Sequence, residues 1–355
     1  MKRIFAIIAS AAILGSCSNG TKYTIKGTDE SFENGKYAYL YLDGKTDSVL
    51  IADNSFEIKG AGELELPASA TLVISEPGTR RPDVAVPLFV EAGTIEIKKL
   101  DPEQPAMSAT GTPLNDKQAA FNSKSLQINN DFRAAYEAKD EAKMEQIEND
   151  WENTIKQTIA DNSDNLFGVR MLLNNQYSME PQELLDMIAS FSAEQQESLA
   201  EIKKSAETAL KVTPGNPYVE IVDKDADGKE ISLKSVVENK ANKYVLIDFW
   251  ASWCGPCMGE VPFLVETYDK YHKKGFEIYG VSFDGDRDSW LKAVEGKKMN
   301  WIQVSSLASW NNQARNDYAV NSIPANFLVD CATGKIIAKG LRGEELQKKI
   351  AELLD

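Results

Sequence analysis

Between Val245 and Cys257 the chain reads Val-Leu-Ile-Asp-Phe-Trp-Ala-Ser-Trp-Cys-Gly-Pro-Cys, and this stretch predicts a strand followed at once by a helix. Residues 245–250 favour β-structure and are apolar except for Asp248, which is typical of a strand buried on both faces. Pro256 is tolerated in a first helical turn, because its missing N–H would have no partner there. We therefore expect a helix that begins at Cys254.

The two cysteines of this stretch are placed for redox chemistry. Free N–H groups and the helix dipole stabilise an anion at a helix N-terminus, so Cys254 is predicted to be the exposed, readily ionised nucleophile. Cys257 can then attack the resulting mixed disulfide and release the partner. A zinc site needs further ligands, and only Cys17, Cys331 and His272 are left to supply cysteine or histidine. We predict a redox pair, with no metal and no cofactor.

Two carboxylates lie close to the cysteine pair in sequence. Asp248 falls inside the predicted strand, where an unpaired carboxylate is costly. Glu260 follows Cys257 by three residues, so the two side chains share a helix face. Either acid could accept the proton of Cys257 when that thiol becomes a nucleophile. The alternatives are a strand-end carboxylate that reaches water and an ordinary solvated helix residue.

At these residues the chain resembles a known family. Asp248-Phe-Trp-Ala251 and Trp253-Cys-Gly-Pro-Cys257 are similar to the active site of thioredoxin, and Glu260-x-Pro262 is similar to the TlpA/ResA branch of membrane-tethered thiol-disulfide oxidoreductases. Ser322-Ile-Pro324 resembles the family's cis-proline loop, which faces the two sulfurs. The resemblance covers roughly residues 213–355 and implies an α/β thioredoxin-like fold.

The resemblance also implies roles for individual residues. Thioredoxin uses the strand aspartate, here Asp248, for proton management, whereas the ResA-like branch uses the glutamate, here Glu260. Trp253, Ile323 and Pro324 would contact the client protein. An enzyme that recognises little of its client's sequence can bind an extended client through main-chain hydrogen bonds. Such binding needs an unpaired strand edge near the sulfurs, and a proline has no N–H that could pair with that edge. We therefore expect a cis Pro324, with Ile323 presenting its backbone to the client.

The N-terminus predicts export and lipidation. Lys2 and Arg3 precede the apolar run Ile4–Leu14, whose 11 residues are too few to span a bilayer but suit a secretory signal. Leu14-Gly-Ser-Cys17 resembles the signal of bacterial lipoproteins, which are cleaved before a cysteine that carries the lipid. The alternative is an ordinary signal with a chance cysteine. We expect a chain anchored through Cys17 in a Gram-negative cell envelope, facing the periplasm, where disulfides can form.

Composition narrows the set of partners. The chain has 54 acidic and 39 basic residues, a net charge of −15, which becomes −17 once Lys2 and Arg3 leave with the signal. The sequence has no basic stripe, so nucleic acid is not expected as a partner. The expected partners are client proteins with disulfides or thiols and an upstream electron donor in the membrane.

The rest of the chain predicts further domains. Seven short β-rich runs between residues 22 and 110 indicate a small β-sandwich, and they resemble a domain of unknown function that is often fused to thioredoxin modules in lipoproteins. Apolar residues at helical spacing, such as Ile147, Trp151 and Ile155, predict a helical region after it. The expected order is a signal peptide (1–16), a β-rich domain (17–112), a helical region (113–212) and a thioredoxin-like domain (213–355).

Three functions follow from this organisation. The first is a thiol-disulfide oxidoreductase that acts as reductant or isomerase, and the second is a binding lipoprotein whose β-domain recruits a partner. The third, a peroxidase, is disfavoured because peroxiredoxin sites read Pro-x-x-x-Thr/Ser-x-x-Cys. If Cys254 were the peroxidatic cysteine, the proline position would be Ile247 and the Thr/Ser position Ala251. If it were Cys257, these positions would be Trp250 and Cys254. Neither set fits.

Overall fold

The computed structural model describes residues 22–61, 65–79, 81–101 and 105–355. The chain divides into two compact units, the first ending at Asn175 and the second running Gln176–Asp355. The predicted signal peptide and the predicted lipidation of Cys17 concern residues outside the described ranges. Within the described ranges, no helix is both long enough and apolar enough to cross a membrane.

The first unit contains two four-stranded sheets that share one apolar core. Their eight strands are β1 (Lys22–Thr28), β2 (Tyr37–Leu42), β3 (Lys45–Leu50), β4 (Ser55–Ala61), β5 (Ala68–Ser75), β6 (Val84–Val90), β7 (Gly93–Lys99) and β8 (Met107–Thr110). The strand orders are β4-β1-β7-β8 and β3-β2-β5-β6. Ile25 and Ile95 of one sheet and Leu40 and Leu72 of the other are fully or almost fully buried in the same cluster. The predicted sandwich is therefore confirmed.

The sequence prediction missed β8. Met107-Ser-Ala-Thr110 has little β-favouring pattern of its own, and it becomes a strand because it pairs antiparallel with β7. Tertiary pairing thus overrides a weak local preference.

Helices follow in both units, as the polar, periodic sequence predicts. They are α1 (Pro113–Ala138), α2 (Glu141–Ala160) and α3 (Leu166–Asn175) in the first unit, and α4 (Pro181–Ala189), α5 (Ala193–Ser198) and α6 (Ala200–Lys211) in the second. The division between the units therefore falls inside the predicted helical region 113–212. The predicted domain boundaries stay a prediction.

The rest of the second unit is an α/β structure, as predicted. Its elements are β9 (Val222–Lys224), β10 (Glu230–Ser232), α7 (Leu233–Val237), β11 (Tyr244–Trp250), α8 (Gly255–Tyr271), β12 (Phe276–Ser282), α9 (Arg287–Gly296), β13 (Ile302–Val304), α10 (Gln313–Asp317), β14 (Ala325–Asp330), β15 (Lys335–Lys339) and α11 (Gly343–Leu354). Five of the strands form one mixed sheet of order β13-β12-β11-β14-β15. The apolar run that predicted a doubly buried strand is β11, at the centre of this sheet.

The register of this sheet sets the position of the site. β11 pairs in parallel with β12 and antiparallel with β14. Phe249 pairs with Ala325, the residue directly after Pro324. The cysteine motif follows the end of β11, and the proline loop precedes the start of β14. Because these two strands are antiparallel, the two segments lie at the same end of the strand pair.

Candidate active site

The helix that carries the cysteine pair begins where the sequence predicts. Cys254 is the N-cap of α8, and its sulfur accepts the backbone N–H of Cys257 at 3.1 Å. The two cysteines form a disulfide, with their Cα atoms 5.3 Å apart. In the reduced protein the same N–H and the helix dipole would stabilise a thiolate on Cys254. The local geometry therefore favours ionisation of the first cysteine.

The expected exposure of Cys254 is wrong for this disulfide form. Cys254 is 5% exposed and Cys257 is 2% exposed. One of the contacts of Cys254 comes from the proline loop, whose Ile323 carbonyl oxygen lies 3.6 Å from the Cys254 sulfur. A disulfide sulfur has no proton to donate, so this approach is a contact here; a reduced thiol at the same place could donate to the carbonyl.

The proline loop has the predicted form. The Ile323–Pro324 peptide bond is cis, which confirms the prediction, and the loop lies beside Cys254. The carbonyl of Pro324 accepts a hydrogen bond from the guanidinium of Arg342. Sequence reasoning missed Arg342, because its only signal is a position directly before the last helix.

The turn between β11 and α8 is held by a residue that sequence reasoning also missed. Asp284, 1% exposed, accepts the backbone N–H of Ser252 at 3.0 Å and its hydroxyl at 2.5 Å. It also accepts the hydroxyl of Ser282, at the end of β12, at 2.7 Å. One buried carboxylate thus joins the turn before the cysteines to the neighbouring strand. Buried carboxylates need such partners.

Asp248 lies within β11 and is 4% exposed, so it is not the solvated strand-end carboxylate of the alternative interpretation. Burial raises the pKa of Asp248 to about 7, the Arg342 guanidinium opposes this rise, and the Glu260 carboxylate adds to it. An acid with a pKa near the working pH can both accept and release a proton. The role of Asp248 as proton acceptor for Cys257 stays a prediction.

Glu260 is held by the start of the last helix. Its carboxylate Oε2 accepts the backbone N–H of Gly343 at 2.8 Å, and its side chain is only partly exposed. It is therefore a bound residue and not simply a solvated one. Its influence on the pKa of Asp248 joins the two predicted acids in one electrostatic cluster with Arg342.

An aromatic pair marks the solvent side of the site. Trp253, beside Cys254 in the sequence, is 54% exposed, a large exposed area for an apolar side chain. Its ring lies 6.2 Å from that of Trp310, which in turn contacts Phe283 at 5.3 Å between centroids. Trp310 is a further residue that the sequence analysis did not single out, because it stands alone in a polar loop.

Cys331 takes no part in this arrangement. It is free and half-buried, and burial raises the pKa of its thiol to about 11. Because the thiolate is the nucleophilic form, this raised pKa makes the Cys331 thiol less reactive than an ordinary cysteine at neutral pH.

Two family models match the chain. Residues 242–336 match a family described as thioredoxin-like, and residues 23–118 match a domain of unknown function, DUF4369. The first match contains the cysteine pair and the proline loop. The second spans most of the β-rich part of the first unit.

Individual relatives match part of the chain. The thiol-disulfide oxidoreductase ResA of Bacillus thuringiensis subsp. konkukian (strain 97-27) is 31% identical over 130 residues, which cover 37% of this chain and 70% of that protein. A tryparedoxin of Trypanosoma brucei brucei is 36% identical over 115 residues, covering 32% of this chain and 76% of that protein. A crystal structure of the thioredoxin domain of a Bacteroides vulgatus thiol-disulfide oxidoreductase is 36% identical, with a TM-score of 0.37, covering 40% of this chain and 99% of that one.

The match to ResA covers more than two thirds of that protein. In this chain the two cysteines form a disulfide at the start of a helix. The chain therefore belongs to the ResA-type thiol-disulfide oxidoreductases with a thioredoxin-like domain.

Proposed function

We propose that this protein exchanges disulfides with client proteins outside the cytoplasm, as a reductant or isomerase, through Cys254 and Cys257. The observation that carries the proposal is the position of the disulfide. Its first sulfur caps a helix N-terminus and lies 3.6 Å from the main chain of the proline loop. A pair of cysteines in this setting can be ionised, approached by a client and closed again.

The reductive cycle runs in two exchanges. The thiolate of Cys254 attacks one sulfur of a client disulfide, so that the client bond breaks, one client thiolate leaves and a mixed disulfide forms. Cys257 then loses its proton to Asp248 or Glu260 and attacks the sulfur of Cys254. The second client thiolate leaves and takes up a proton, and two electrons have passed to the client. The enzyme ends with the Cys254–Cys257 disulfide.

The client is held mainly by its backbone. Ile323 lies just before β14 with its carbonyl oxygen 3.6 Å from the Cys254 sulfur, and its main-chain groups are of the kind that every extended client can pair with. Trp253, half-exposed next to Cys254, supplies an apolar surface for the client residues that flank its cysteine. Return to the reduced state requires a dithiol donor, which we assign to an upstream membrane protein.

Insulin reduction set beside peroxide consumption tests this function. The fragment without residues 1–17 is expected to accelerate dithiothreitol-driven reduction of insulin and to leave hydrogen peroxide unconsumed. Peroxide consumption without insulin reduction would instead support a peroxidase. Inactivity in both assays would favour the binding lipoprotein.

We further propose that the chain is exported and anchored through lipid on Cys17. The support is the sequence of residues 1–17 alone, with its short apolar run before Leu14-Gly-Ser-Cys17. Labelling of bacterial cells with palmitate should mark the wild-type protein and not Cys17→Ala. Label that persists on the variant would refute lipidation at this residue.

A further inference from the structure

Arg342 links the two halves of the active site. Its Nη2 donates to the carbonyl of Pro324 in the proline loop, and its Nη1 donates to its own neighbour Leu341 at 2.9 Å. The next residue, Gly343, donates its backbone N–H to Glu260 at 2.8 Å. One dipeptide therefore contacts both the loop that faces the client and an acid of the helix that carries the cysteines.

Arg342 is also the cation that acts on Asp248. The groups that influence this carboxyl are Arg342, which favours its charge, and Glu260, which opposes it. Its partners across the sheet, Gly280 on β12 and Asn326 on β14, are uncharged. The Asn326 side chain is occupied with the backbone of Leu341. Without Arg342, Asp248 would be buried and influenced by the carboxylate of Glu260. None of the remaining groups that influence it would then supply a compensating positive charge.

We propose that Arg342 is a positioning residue that couples client binding to resolution, by holding the Pro324 carbonyl and keeping Asp248 able to ionise. This inference rests on the proposed thiol-disulfide exchange. Its chemical content is proton transfer: Asp248 must be ionised before it can take the proton of Cys257, and the guanidinium favours that ionised form.

The sign of the effect follows directly. A positive charge beside a carboxyl lowers its pKa, so removing the charge raises the pKa of Asp248 above its present value of about 7. At neutral pH less Asp248 is then ionised, and Cys257 loses its proton more slowly. At high pH the carboxyl is ionised in either protein, so the two rates converge.

Two substitutions separate the charge from the hydrogen bond. Arg342→Gln keeps a side-chain N–H donor but carries no charge. Arg342→Lys keeps the charge but loses the planar fork that binds two carbonyls at once. Arg133→Met serves as a matched control, because Arg133 lies exposed in α1, in the other unit.

The experiment measures how the rate of mixed-disulfide resolution depends on pH in the full chain, with a client peptide disulfide in single-turnover mixing. In Arg342→Gln the pH at which the rate rises should be higher by about one unit. Resolution at neutral pH should therefore be about fivefold slower than in the wild type. Arg342→Lys and Arg133→Met should keep the wild-type profile. An unshifted profile in Arg342→Gln, or an equal shift in Arg342→Lys, overturns the proposal.

A double variant keeps the test valid if Arg342→Gln does not fold. Arg342→Met combined with Asp248→Asn buries no uncompensated carboxylate at position 248, and its resolution rate should depend on pH in the same way as that of Asp248→Asn alone. A difference in pH dependence between these two variants would contradict action through Asp248. If the wild type forms no mixed disulfide at all, the proposed function fails with it; if it does and the profiles coincide, only the role of Arg342 fails.

Discussion

Asp248 is expected to contribute to the pH dependence of this protein's stability. Because burial raises its pKa from 3.8 to about 7, the folded state keeps a proton that the unfolded chain has lost. The contribution of Asp248 to the free energy of unfolding should therefore fall as pH rises from about 4 to about 7 and level off above that. The loss amounts to about 4 kcal/mol at most.

Asp248→Asn should remove this dependence. The oxidised variant is expected to match the wild type near pH 4 and to be more stable near pH 8, by up to about 4 kcal/mol, because no charge needs to be buried. Chemical denaturation at the two pH values measures the difference. Parallel pH dependence in the two proteins would show that Asp248 is not the group responsible.

The cysteine order makes a prediction at the same scale. Cys254 caps the helix, so Cys257→Ser should accumulate a mixed disulfide between Cys254 and a client, since nothing remains to resolve it. Cys254→Ser should accumulate none. Non-reducing gels of both variants with a disulfide-bonded client distinguish them, and trapping by Cys254→Ser alone would reverse the assigned roles.

Among the elements, the turn between β11 and α8 depends on one long-range contact. Asp284 binds both the N–H and the hydroxyl of Ser252, two residues before Cys254. Asp284→Ala leaves that N–H without its partner and should lower the free energy of unfolding by about 1–3 kcal/mol. It should also slow formation of the mixed disulfide, since the turn no longer holds the start of α8.

A neighbouring acid provides the control for this element. Asp286 caps α9 by accepting the N–H of Ser289 at 2.8 Å. Asp286→Ala should also lower the free energy of unfolding, because α9 loses its cap, and should leave the rate of mixed-disulfide formation unchanged. Equal slowing in both variants would mean that the exchange rate follows general stability and not the turn.

At the scale of the whole molecule, the exchange chemistry belongs to the second unit. Every residue assigned to it lies within Gln176–Asp355. A fragment of residues 176–355 should therefore fold and reduce insulin at a rate within a few-fold of the longer chain. Circular dichroism and the insulin assay test this together, and a folded but inactive fragment would show that the first unit contributes to catalysis.

Local patterns in the sequence were enough to predict much of the site. The run of apolar residues in β11 predicted a doubly buried strand, and Pro256 after Cys254 predicted the start of a helix. The resemblance of Ser322-Ile-Pro324 to the family's cis-proline loop predicted the cis bond and the place of the loop beside the sulfur. The strand and the helix start could be predicted from the residues alone because strand burial patterns and helix capping depend on neighbouring residues.

Tertiary structure decided the rest. Ser252 meets Asp284 across 32 residues, Glu260 meets Gly343 across 83, and Pro324 meets Arg342 across 18. No local pattern encodes such pairs, since they exist only once the sheet has brought separate segments to one edge. For the same reason the burial of Cys254 under the Ile323 carbonyl and the pairing that makes β8 a strand escaped the sequence. The sequence alone thus determined the reactive cysteines and their helix, whereas packing determined the charges and contacts that surround them.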